Sequence, residues 1–347
     1  MNKILWIDVI KGLGILTVVA GHIYEGEIAR NIYIFHMPLF FFISGYLFKS
    51  TIEYKKYFKK KVIHLLVPYF SFLILLDYKV ILGFAYNLFV NSLNDDKWLF
   101  YKEHFYSIIY GGGELTGDFA VFWFVTCLFL TQQIFNYLFN KLKTRQIFML
   151  ILAMLIISYA NTYFYPKMSV PWNANVILAS IPIFYIGYLY KQKNFRINTV
   201  LLWAIGFATI LLSFYYPENV YNMKYSSYGI PIITLASSLI LILNIKYISV
   251  LLSNYKFPYR VLSRIGQASM VIMFLHQSFR NPIALYISDN NTFVFLITTM
   301  LSYFIYLLLS KFKLSKAIFL GSHKDLEEIY LSTLKRKSTK ANNVYKK

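Results

Sequence analysis

Charged residues are scarce in this sequence, and acidic ones are the scarcest. Of its 347 residues, 14% are Asp, Glu, Lys or Arg, and only 15 are acidic, whereas 58% are hydrophobic. So low a charge content over this length excludes an ordinary water-soluble domain, whose surface needs more polar side chains. The lipid bilayer is therefore the expected main solvent of the chain.

The chain has one cysteine, Cys127, which lies in an apolar stretch. A single cysteine excludes an internal disulfide and matches no thiolate metal pattern, so we assign Cys127 to packing. We expect neither a metal centre nor a permanently bound cofactor. The net charge of +20 suggests nucleic acid as a partner, but the basic residues lie between apolar runs rather than on a soluble basic face, which argues against nucleic acid.

Apolar runs of about 20 residues, the length that crosses the hydrocarbon core, recur between short polar breaks. They predict an all-α fold, a polytopic transmembrane helix bundle of about ten spans. The predicted spans are Trp6 to Ile23, Ile32 to Phe48, Val62 to Leu82, Phe119 to Phe139, Ile147 to Phe164, Asn173 to Tyr190, Thr199 to Tyr216, Tyr228 to Ile245, Ser263 to Phe279 and Thr292 to Leu309. The polar and aromatic segment 87–118 can hide a re-entrant or interfacial helix.

Basic residues indicate the orientation, because loops that stay in the cytoplasm carry the excess of Lys and Arg. One set of alternate connections holds Lys55, Lys56, Lys59, Lys60, Lys61, Lys141, Lys143, Arg145, Lys191, Lys193, Arg196, Lys246, Lys256, Arg260 and Arg264. The other set holds little beyond Arg30, Lys97, Lys102, Lys167, Lys224 and Arg280. We therefore predict both termini in the cytoplasm, a membrane-embedded domain over residues 1–312, and a basic cytoplasmic tail over residues 313–347 near the anionic inner leaflet.

Three ionisable side chains interrupt the first predicted span: Asp8, Lys11 and His22. Helix geometry places them within roughly 60° of one another around the axis, with Lys11 and His22 about 16 Å apart along it. One interpretation is structural: Asp8 and Lys11 form an ion pair near the inner interface, and His22 marks the outer boundary. The other is a functional polar face across most of the membrane, because ionisable groups inside spans usually face a cavity or a partner.

Three further candidates share the predicted depth of His22. His36 lies at the outer end of the second span, and Trp123 and His276 lie in the outer halves of the fourth and ninth. A lone histidine in such a place is more often a hydrogen-bonded structural residue than a catalyst. The common depth of His22, His36, Trp123 and His276 is a stronger indication of a site than any one of these residues alone.

Two motifs carry a family resemblance. The first is D-x-x-K-G followed by G-H, at Asp8, Lys11, Gly12, Gly21 and His22; the second is F-H-M-P-L-F-F-F-x-S-G-Y, from Phe35 to Tyr46. Weaker matches are PYF at 68–70, FWF at 122–124, FYIGYLY at 184–190 and I-G-x-x-S…H at 265–276. With these motifs the sequence resembles the acyltransferase-3 family of integral membrane acyltransferases, in particular its fucose 4-O-acetylase-like branch. Many members of the family have arginine at the position of Lys11. Lysine keeps the positive charge, but it lacks the planar guanidinium group that can bind a phosphate through two hydrogen bonds.

The resemblance implies transfer of an acyl group, usually acetyl from acetyl-CoA, to a hydroxyl of a cell-envelope polysaccharide or a lipid-linked sugar, in a multi-pass protein of a bacterial plasma membrane. A neutral imidazole can remove the hydroxyl proton during attack on the thioester, so His22 is the first candidate for the base, with His36 orienting or replacing it. The candidates for binding substrate or CoA are Asp8, Lys11, Trp123, Tyr185 and His276, with Lys191 and Lys193 for the nucleotide phosphates. In this hypothesis the pantetheine arm enters from the cytoplasm along the polar face of the first span.

Two other functions remain open at this point. A transporter or flippase for a polysaccharide or lipid-linked sugar needs similar embedded charges and often has helices broken at Gly or Pro, as at Pro38, Pro182 and Pro231. It gives no reason for two histidines at one depth. In a membrane scaffold or sensor, the polar residues would only fix helix packing and would tolerate isosteric substitution.

Overall fold

The structure is a computed structural model that describes residues 4–344 except Lys167, Asn194 and Arg196, with side chains described as far as Thr333. Lys167 and Arg196, which entered the topology prediction, and residues 345–347 of the tail thus lie outside the described residues. Within the described part the chain is helical, without β-strands and with one isolated antiparallel bridge between Asn222 and Ser227. The all-α prediction is confirmed.

The α-helices of the described residues are α1 (Leu5–Ile23), α2 (Gly26–Tyr33), α3 (His36–Tyr46), α4 (Tyr54–Lys61), α5 (Val67–Leu76), α6 (Tyr78–Phe89), α7 (Asp95–Tyr110), α8 (Trp123–Lys141), α9 (Thr144–Phe164), α10 (Ile177–Lys193), α11 (Thr199–Tyr215), α12 (Ile233–Ser253), α13 (Lys256–Gln267), α14 (Ser269–Tyr286), α15 (Asn291–Leu309), α16 (Lys313–Phe319) and α17 (His323–Val344). A π-helical turn, Val62–Leu66, joins α4 to α5. Short 3-10 turns cover Gly112–Glu114, Gly117–Phe119, Pro171–Val176 and Met223–Tyr225.

Six helical stretches among the described residues are long and apolar enough to cross a membrane, and the bent pair Tyr54–Leu76 and Tyr78–Phe89 adds a seventh if it counts as one span. The six are Leu5–Ile23, Gly117–Lys141, Thr144–Phe164, Pro171–Lys193, Ile233–Ser253 and Asn291–Leu309. They coincide with six of the ten predicted spans. The polytopic transmembrane bundle is thereby confirmed, while the count of ten and the cytoplasmic termini stay predictions.

The other four predicted spans are interrupted or short. Residues 32–48 divide between α2 and α3, and residues 263–279 divide between α13 and α14 at Ala268. The run 62–82 bends by 62° between α5 and α6. There the buried carboxylate of Asp77 pairs with His104 Nε2 of α7 at 2.8 Å, as a buried charge requires. Residues 199–215 form a helix of 17 residues.

Asparagine side chains cap the N-termini of three of the helices. Asn94, Asn198 and Asn290 each accept a hydrogen bond from a backbone N–H in the first turn of α7, α11 and α15. Such caps satisfy donors that have no partner inside the helix. They fix where these helices leave the connecting segments.

The outward faces of α9 and α11 are covered by large apolar side chains. Ile156 and Phe164 on α9, and Phe207 and Tyr215 on α11, are exposed. An apolar surface of this extent is unfavourable in water and favourable against lipid hydrocarbon. These helices therefore form part of the lipid-facing boundary of the bundle.

Helix α1 occupies the centre of the bundle, where it contacts α2, α3, α12, α13, α14 and α15. Two glycines bring it against α13: Gly12 of α1 lies on the backbone of Leu262, and Gly266 of α13 lies on the backbone of Asp8. Small residues permit this close approach in membrane bundles. The motif that contains Asp8, Lys11 and Gly12 is thus held by direct backbone packing.

The segment predicted to be a tail forms α16 and α17. Phe319 of α16 packs against Phe72 of α5, with ring centroids 5.2 Å apart, and Gly321 lies on the backbone of His64 in the π-helical turn. The start of the predicted tail is therefore in contact with the bundle. The domain boundary at residue 312 stays a prediction.

A second glycine pair predicts a large packing effect between α3 and α10. Gly45 of α3 lies on the backbone of Phe184, and Gly187 of α10 lies on the backbone of Phe42, so neither site has room for a Cβ. We expect Gly187→Ala to lower the free energy of unfolding by about 1–3 kcal/mol through overpacking, measured as the melting temperature in detergent. In the control Gly83→Ala, on α6, the added methyl meets only the end of the Tyr101 side chain, at 3.2 Å. Equal melting temperatures for Gly187→Ala and the wild type would contradict this close contact.

Candidate active site

A cavity of about 250 Å³ lies at the end of α1 that carries His22. Its walls include His22, Tyr33, His36, Trp123, Lys224 and Gln277. These side chains come from α1, α2, α3, α8, α14 and the segment between α11 and α12. We call it the histidine cavity.

His22 stands in the last turn of α1, half-buried in the wall of this cavity. Its Nδ1 lies 3.4 Å from the hydroxyl oxygen of Tyr33, and its ring centroid lies 5.3 Å from that of His276. The contact with Tyr33 engages Nδ1, so Nε2 is the ring nitrogen left for a substrate. Tyr33 thus orients the imidazole, which a base needs if it is to meet a hydroxyl at a fixed angle.

His36 stands at the first residue of α3, on the other side of Tyr33. Its Nδ1–H donates to the backbone carbonyl of Ile32 at 3.0 Å, because a carbonyl oxygen can only accept. The proton on Nδ1 leaves Nε2 with a lone pair in the neutral ring. The ring centroids of His36 and Tyr33 are 4.7 Å apart, so one tyrosine ring lies against both histidines.

His276 is fully buried in α14 behind His22. Its Nδ1 bonds to the carbonyls of Met273 at 2.8 Å and Ile272 at 3.0 Å. Its Nε2 has no hydrogen-bond partner among the described residues. A buried acceptor without a partner costs about 1–3 kcal/mol and often marks a functional site. His276 therefore offers an unused lone pair beside the His22 ring.

A larger cavity of about 590 Å³ lies next to the first one. Its walls include Lys11 of α1, Lys49 after α3, Lys56, Lys60 and Lys61 of α4, and His64 of the π-helical turn. Two helices and a loop thus bring five lysines to one cavity, which we call the lysine cavity. Concentrated positive charge of this kind suits a ligand with several phosphates, and π-helical turns frequently lie at functional sites.

One stripe of α1 joins the two cavities. Lys11, Ile15 and Val18 line the lysine cavity, and Val18 and His22 line the histidine cavity. Successive steps of three or four residues place all of them on one face of the helix. Val18, Met37 and Met273 line both cavities. The two cavities are therefore separated by a single layer of apolar side chains.

Lys224 belongs to the segment between α11 and α12, and residues 221–225 of this segment are part of the wall of the histidine cavity. Its Nζ donates to the carbonyl of Leu115 at 2.6 Å and lies 5.1 Å from the ring centroid of Tyr225. Burial lowers the pKa of Lys224 to about 8 because the charged form loses hydration. This lysine is thus close to changing its charge at physiological pH.

The structure brings most of the sequence-predicted site residues to these cavities. Trp123 lines the histidine cavity and Lys11 lines the lysine cavity. Asp8, Tyr185 and His276 are on neither of these two walls. The backbone of Asp8 packs on Gly266, the ring of Tyr185 lies 6.1 Å from that of Phe135 in the core, and His276 lies behind His22.

The lysines expected at the nucleotide phosphates lie elsewhere. Lys191 Nζ lies 5.6 Å from the ring centroid of Tyr46, and neither Lys191 nor Lys193 is on the wall of the lysine cavity. The wall of this cavity instead contains three lysines of α4, Lys56, Lys60 and Lys61, whose positions in the sequence indicated only the orientation in the membrane.

Tyr33, Lys224 and Gln277 also line the histidine cavity, but they were not predicted from the sequence to be site residues. Gln277 is buried, and it follows His276 directly. Tyr33 precedes His36 by three residues, a spacing typical of neighbours on one helix. In the structure Tyr33 instead ends α2 and His36 begins α3, and the turn between the two helices brings the rings together. Lys224 gave no local signal, because it reaches the cavity through the fold of a long connection.

This chain is similar in sequence to known proteins. A family model described as an acyltransferase domain matches residues 4–311. The nodulation protein NolL of Sinorhizobium fredii (strain NBRC 101917 / NGR234) is 28% identical over 153 residues, which are 39% of this chain and 37% of the relative. The match thus spans little more than a third of the length of that relative. No solved structure matches this chain. Because the family model covers α1 to α15, this chain belongs to the acyltransferase-3 family of membrane acyltransferases.

Proposed function

We propose that this protein is an O-acetyltransferase of a bacterial plasma membrane that moves acetyl from acetyl-CoA to a hydroxyl of a cell-envelope polysaccharide or lipid-linked sugar. The observation that carries the proposal is the pair of adjoining cavities, one lined by lysines and the other by histidines. A transferase needs such a division, because its donor and acceptor bind in separate places and their reacting atoms must meet at one point. The motifs around Asp8 to His22 and Phe35 to Tyr46 support acetyl as the group and a sugar hydroxyl as the acceptor.

The lysine cavity receives the donor in this proposal. The phosphates of CoA bind near Lys56, Lys60 and Lys61, and the pantetheine arm follows the stripe of α1. The helix rise gives about 16 Å between Lys11 and His22, a distance that an extended pantetheine arm covers. The thioester then lies at the layer of Val18, Met37 and Met273, beside the histidine cavity.

The histidine cavity receives the hydroxyl. Nε2 of neutral His22 takes the hydroxyl proton while the oxygen attacks the thioester carbonyl, and a C–O bond forms as the carbonyl π electrons move to oxygen. The tetrahedral intermediate collapses, the C–S bond breaks, and the CoA thiolate takes the proton back from His22. The products are the O-acetyl ester and CoA, and the base is regenerated.

His36 and His276 support His22 in this mechanism. His36 keeps the Nε2 lone pair free by donating Nδ1–H to Ile32, and it is the alternative base for a hydroxyl bound on its side of Tyr33. His276 presents its unpaired Nε2 next to the His22 ring. A hydrogen bond there stabilises one orientation of the substrate or of the imidazolium form of His22.

The test uses purified full-length protein in lipid nanodiscs with acetyl-CoA and glycan or lipid fractions of the producing cell. We expect acceptor-dependent release of free CoA thiol and new O-acetyl signals in the NMR spectrum of the glycan. Movement of the glycan across proteoliposomes without any thiol release would instead identify a transporter. Absence of both thiol release and O-acetyl signals with every fraction would contradict the proposal.

Two pairs of lysines on α4 allow a test of donor binding in which one pair is varied and the other serves as the control. Lys56 and Lys60 line the lysine cavity, whereas Lys55 and Lys59 do not. Both lysines are exposed, and Lys56 also pairs with Glu53 at 3.0 Å. Exposed charge contacts contribute at most about 1 kcal/mol each, so we expect Lys56→Gln/Lys60→Gln to raise the KM for acetyl-CoA several-fold, to at most about 30-fold.

The control Lys55→Gln/Lys59→Gln removes the same charge from the same helix. It should leave the KM for acetyl-CoA within about twofold of the wild-type value, because Lys55 and Lys59 do not line the lysine cavity. Any effect of lost charge on the orientation of the protein in the membrane is the same in both double variants. Equal KM values for the two double variants would contradict donor binding in the lysine cavity.

A further inference from the structure

The histidine cavity is positively charged. Lys224 is part of its wall, none of the residues described on that wall is Asp or Glu, and Lys224 and Arg280 are both close enough to act electrostatically on His22. An uncharged sugar acceptor would not be attracted by this positive charge. An arrangement of cations without carboxylates is typical of a site that receives an anion.

The ammonium group of Lys224 is only partly satisfied by the protein. It has three N–H donors, one of which goes to the Leu115 carbonyl, and the ring of Tyr225 lies under it. No carboxylate of the described residues forms an ion pair with it. A half-buried cation loses hydration energy, and an anionic ligand would restore it.

Lys224 is held in place by its backbone. Asn173 Nδ2 donates to the carbonyl of Lys224 at 2.9 Å, and Thr162 Oγ1 donates to the carbonyl of Ser226 at 2.6 Å. Asn175 Nδ2 also binds Ser226 Oγ at 2.8 Å. Three bonds from α9 and the Pro171–Val176 turn thus fix the segment that carries the lysine. A preorganised cation discriminates between ligands better than one on a mobile loop.

We propose that the acceptor is a sugar with an anionic group, a carboxylate or a phosphate, which binds Lys224 while the reacting hydroxyl meets His22. This inference rests on the proposed function and adds the chemical class of its acceptor. Tyr33, Trp123 and Tyr225 supply aromatic faces around the sugar ring. Lys224 therefore acts as a specificity-determining residue, and the acyl donor, with its own lysines in the other cavity, does not need it.

The test compares three pyranosides that differ in charge: neutral methyl β-D-glucoside, methyl β-D-glucuronide with a carboxylate, and glucose 1-phosphate. Binding to the purified protein is measured by saturation-transfer NMR, and acetyl transfer is measured by thiol release. We expect the wild type to bind one or both anionic sugars about 10- to 100-fold more tightly than the glucoside. The better of the two identifies carboxylate or phosphate as the preferred group.

Two variants separate charge from structure. Lys224→Gln should lose the preference and keep its binding of the glucoside, whereas Lys224→Arg should keep the preference. At pH 9 the wild type should lose most of the preference, because the pKa of Lys224 is about 8 and its charge is present below that value and lost above it. Lys224→Arg should keep the preference there, since guanidinium stays charged. The neighbouring ionisable groups are the same in both proteins: Tyr225 beside residue 224, Glu114 of the turn that packs on Met223–Tyr225, and Tyr33, His22 and Arg280 across the cavity.

The possible outcomes are distinct. Equal binding of neutral and anionic sugars by the wild type, or an unchanged preference in Lys224→Gln, overturns the inference. An equal loss of acetyl transfer to all three sugars in Lys224→Gln also overturns it, because the lysine would then stabilise the reaction and not the acceptor. Lys224-dependent anion binding without thiol release would support the anion site and contradict the proposed acetyltransferase.

Discussion

The variant His22→Ala is expected to lower kcat for acetyl transfer about 10²- to 10⁴-fold, the usual contribution of a general base. The reason is geometric: His22 lies in the histidine cavity, four residues along the same face of α1 from Val18 at the layer shared with the lysine cavity. The KM for acetyl-CoA should change little, because the lysines of the donor cavity remain. Steady-state thiol release at varied acetyl-CoA concentration measures both constants.

Two controls make this prediction specific to the base. His323→Ala removes a half-exposed histidine of α17 that pairs with Glu327 at 3.3 Å, and it should leave the rate unchanged. Imidazole added to His22→Ala should restore part of the activity, which a purely structural role of the side chain would not allow. Turnover by His22→Ala at the wild-type rate would contradict the assignment. A loss seen only in His36→Ala would transfer the role to His36.

The membrane bundle was largely predictable from sequence because apolar length reports on burial in lipid. Six of the ten predicted spans are single long helical stretches in the structure. The interruptions were predictable only in part: Asp77 and Lys79 break the apolar run of the third predicted span, but the bend itself depends on another part of the chain. The bend next to Asp77 is stabilised by His104, which lies 27 residues away in α7, and hydropathy carries no information about that contact.

The common depth of the three histidines was also predictable, since the helix rise converts residue number into height along a helix. His22, His36 and His276 do meet around one level of the fold. The residues that approach these histidines from other segments at the same depth were not predictable. Lys224 reaches the same cavity because its segment is tied to Asn173 and Thr162, and nothing in the local sequence indicates those bonds.

The lysines of α4 illustrate a different limit. The sequence shows that Lys56 and Lys60 lie on one face of a helix and Lys55 and Lys59 on a neighbouring face, because residues four apart share a face. It does not show which face borders a cavity. That choice depends on how α4 packs against α8, so the sequence shows the charge of these lysines but not which of them line a cavity.

Val18→Phe is the second large prediction, because it tests whether the thioester reaches His22 through the layer between the cavities. Val18 is 3% exposed and lines both cavities with Met37 and Met273. A phenyl ring at this position occupies the contact between donor and acceptor without touching the lysines. We expect acetyl transfer to fall at least about 10²-fold, since displacement of a reacting group by about 1 Å has effects of that size. Binding of acetyl-CoA, measured by calorimetry, should be preserved within about threefold.

A second substitution separates obstruction from misfolding. Met273→Ala removes side-chain volume from the same layer, so the double variant Val18→Phe/Met273→Ala should recover activity to within about tenfold of the Met273→Ala single variant. Recovery by a compensating change in volume is the expected behaviour of neighbours that share a space, whose effects are not additive. If Val18→Phe transfers acetyl normally, the two substrates do not meet at this layer. If it loses acetyl-CoA binding to the same extent as activity, the pantetheine arm is bound deeper than proposed, and Val18 is part of the donor site and not of the passage between the cavities.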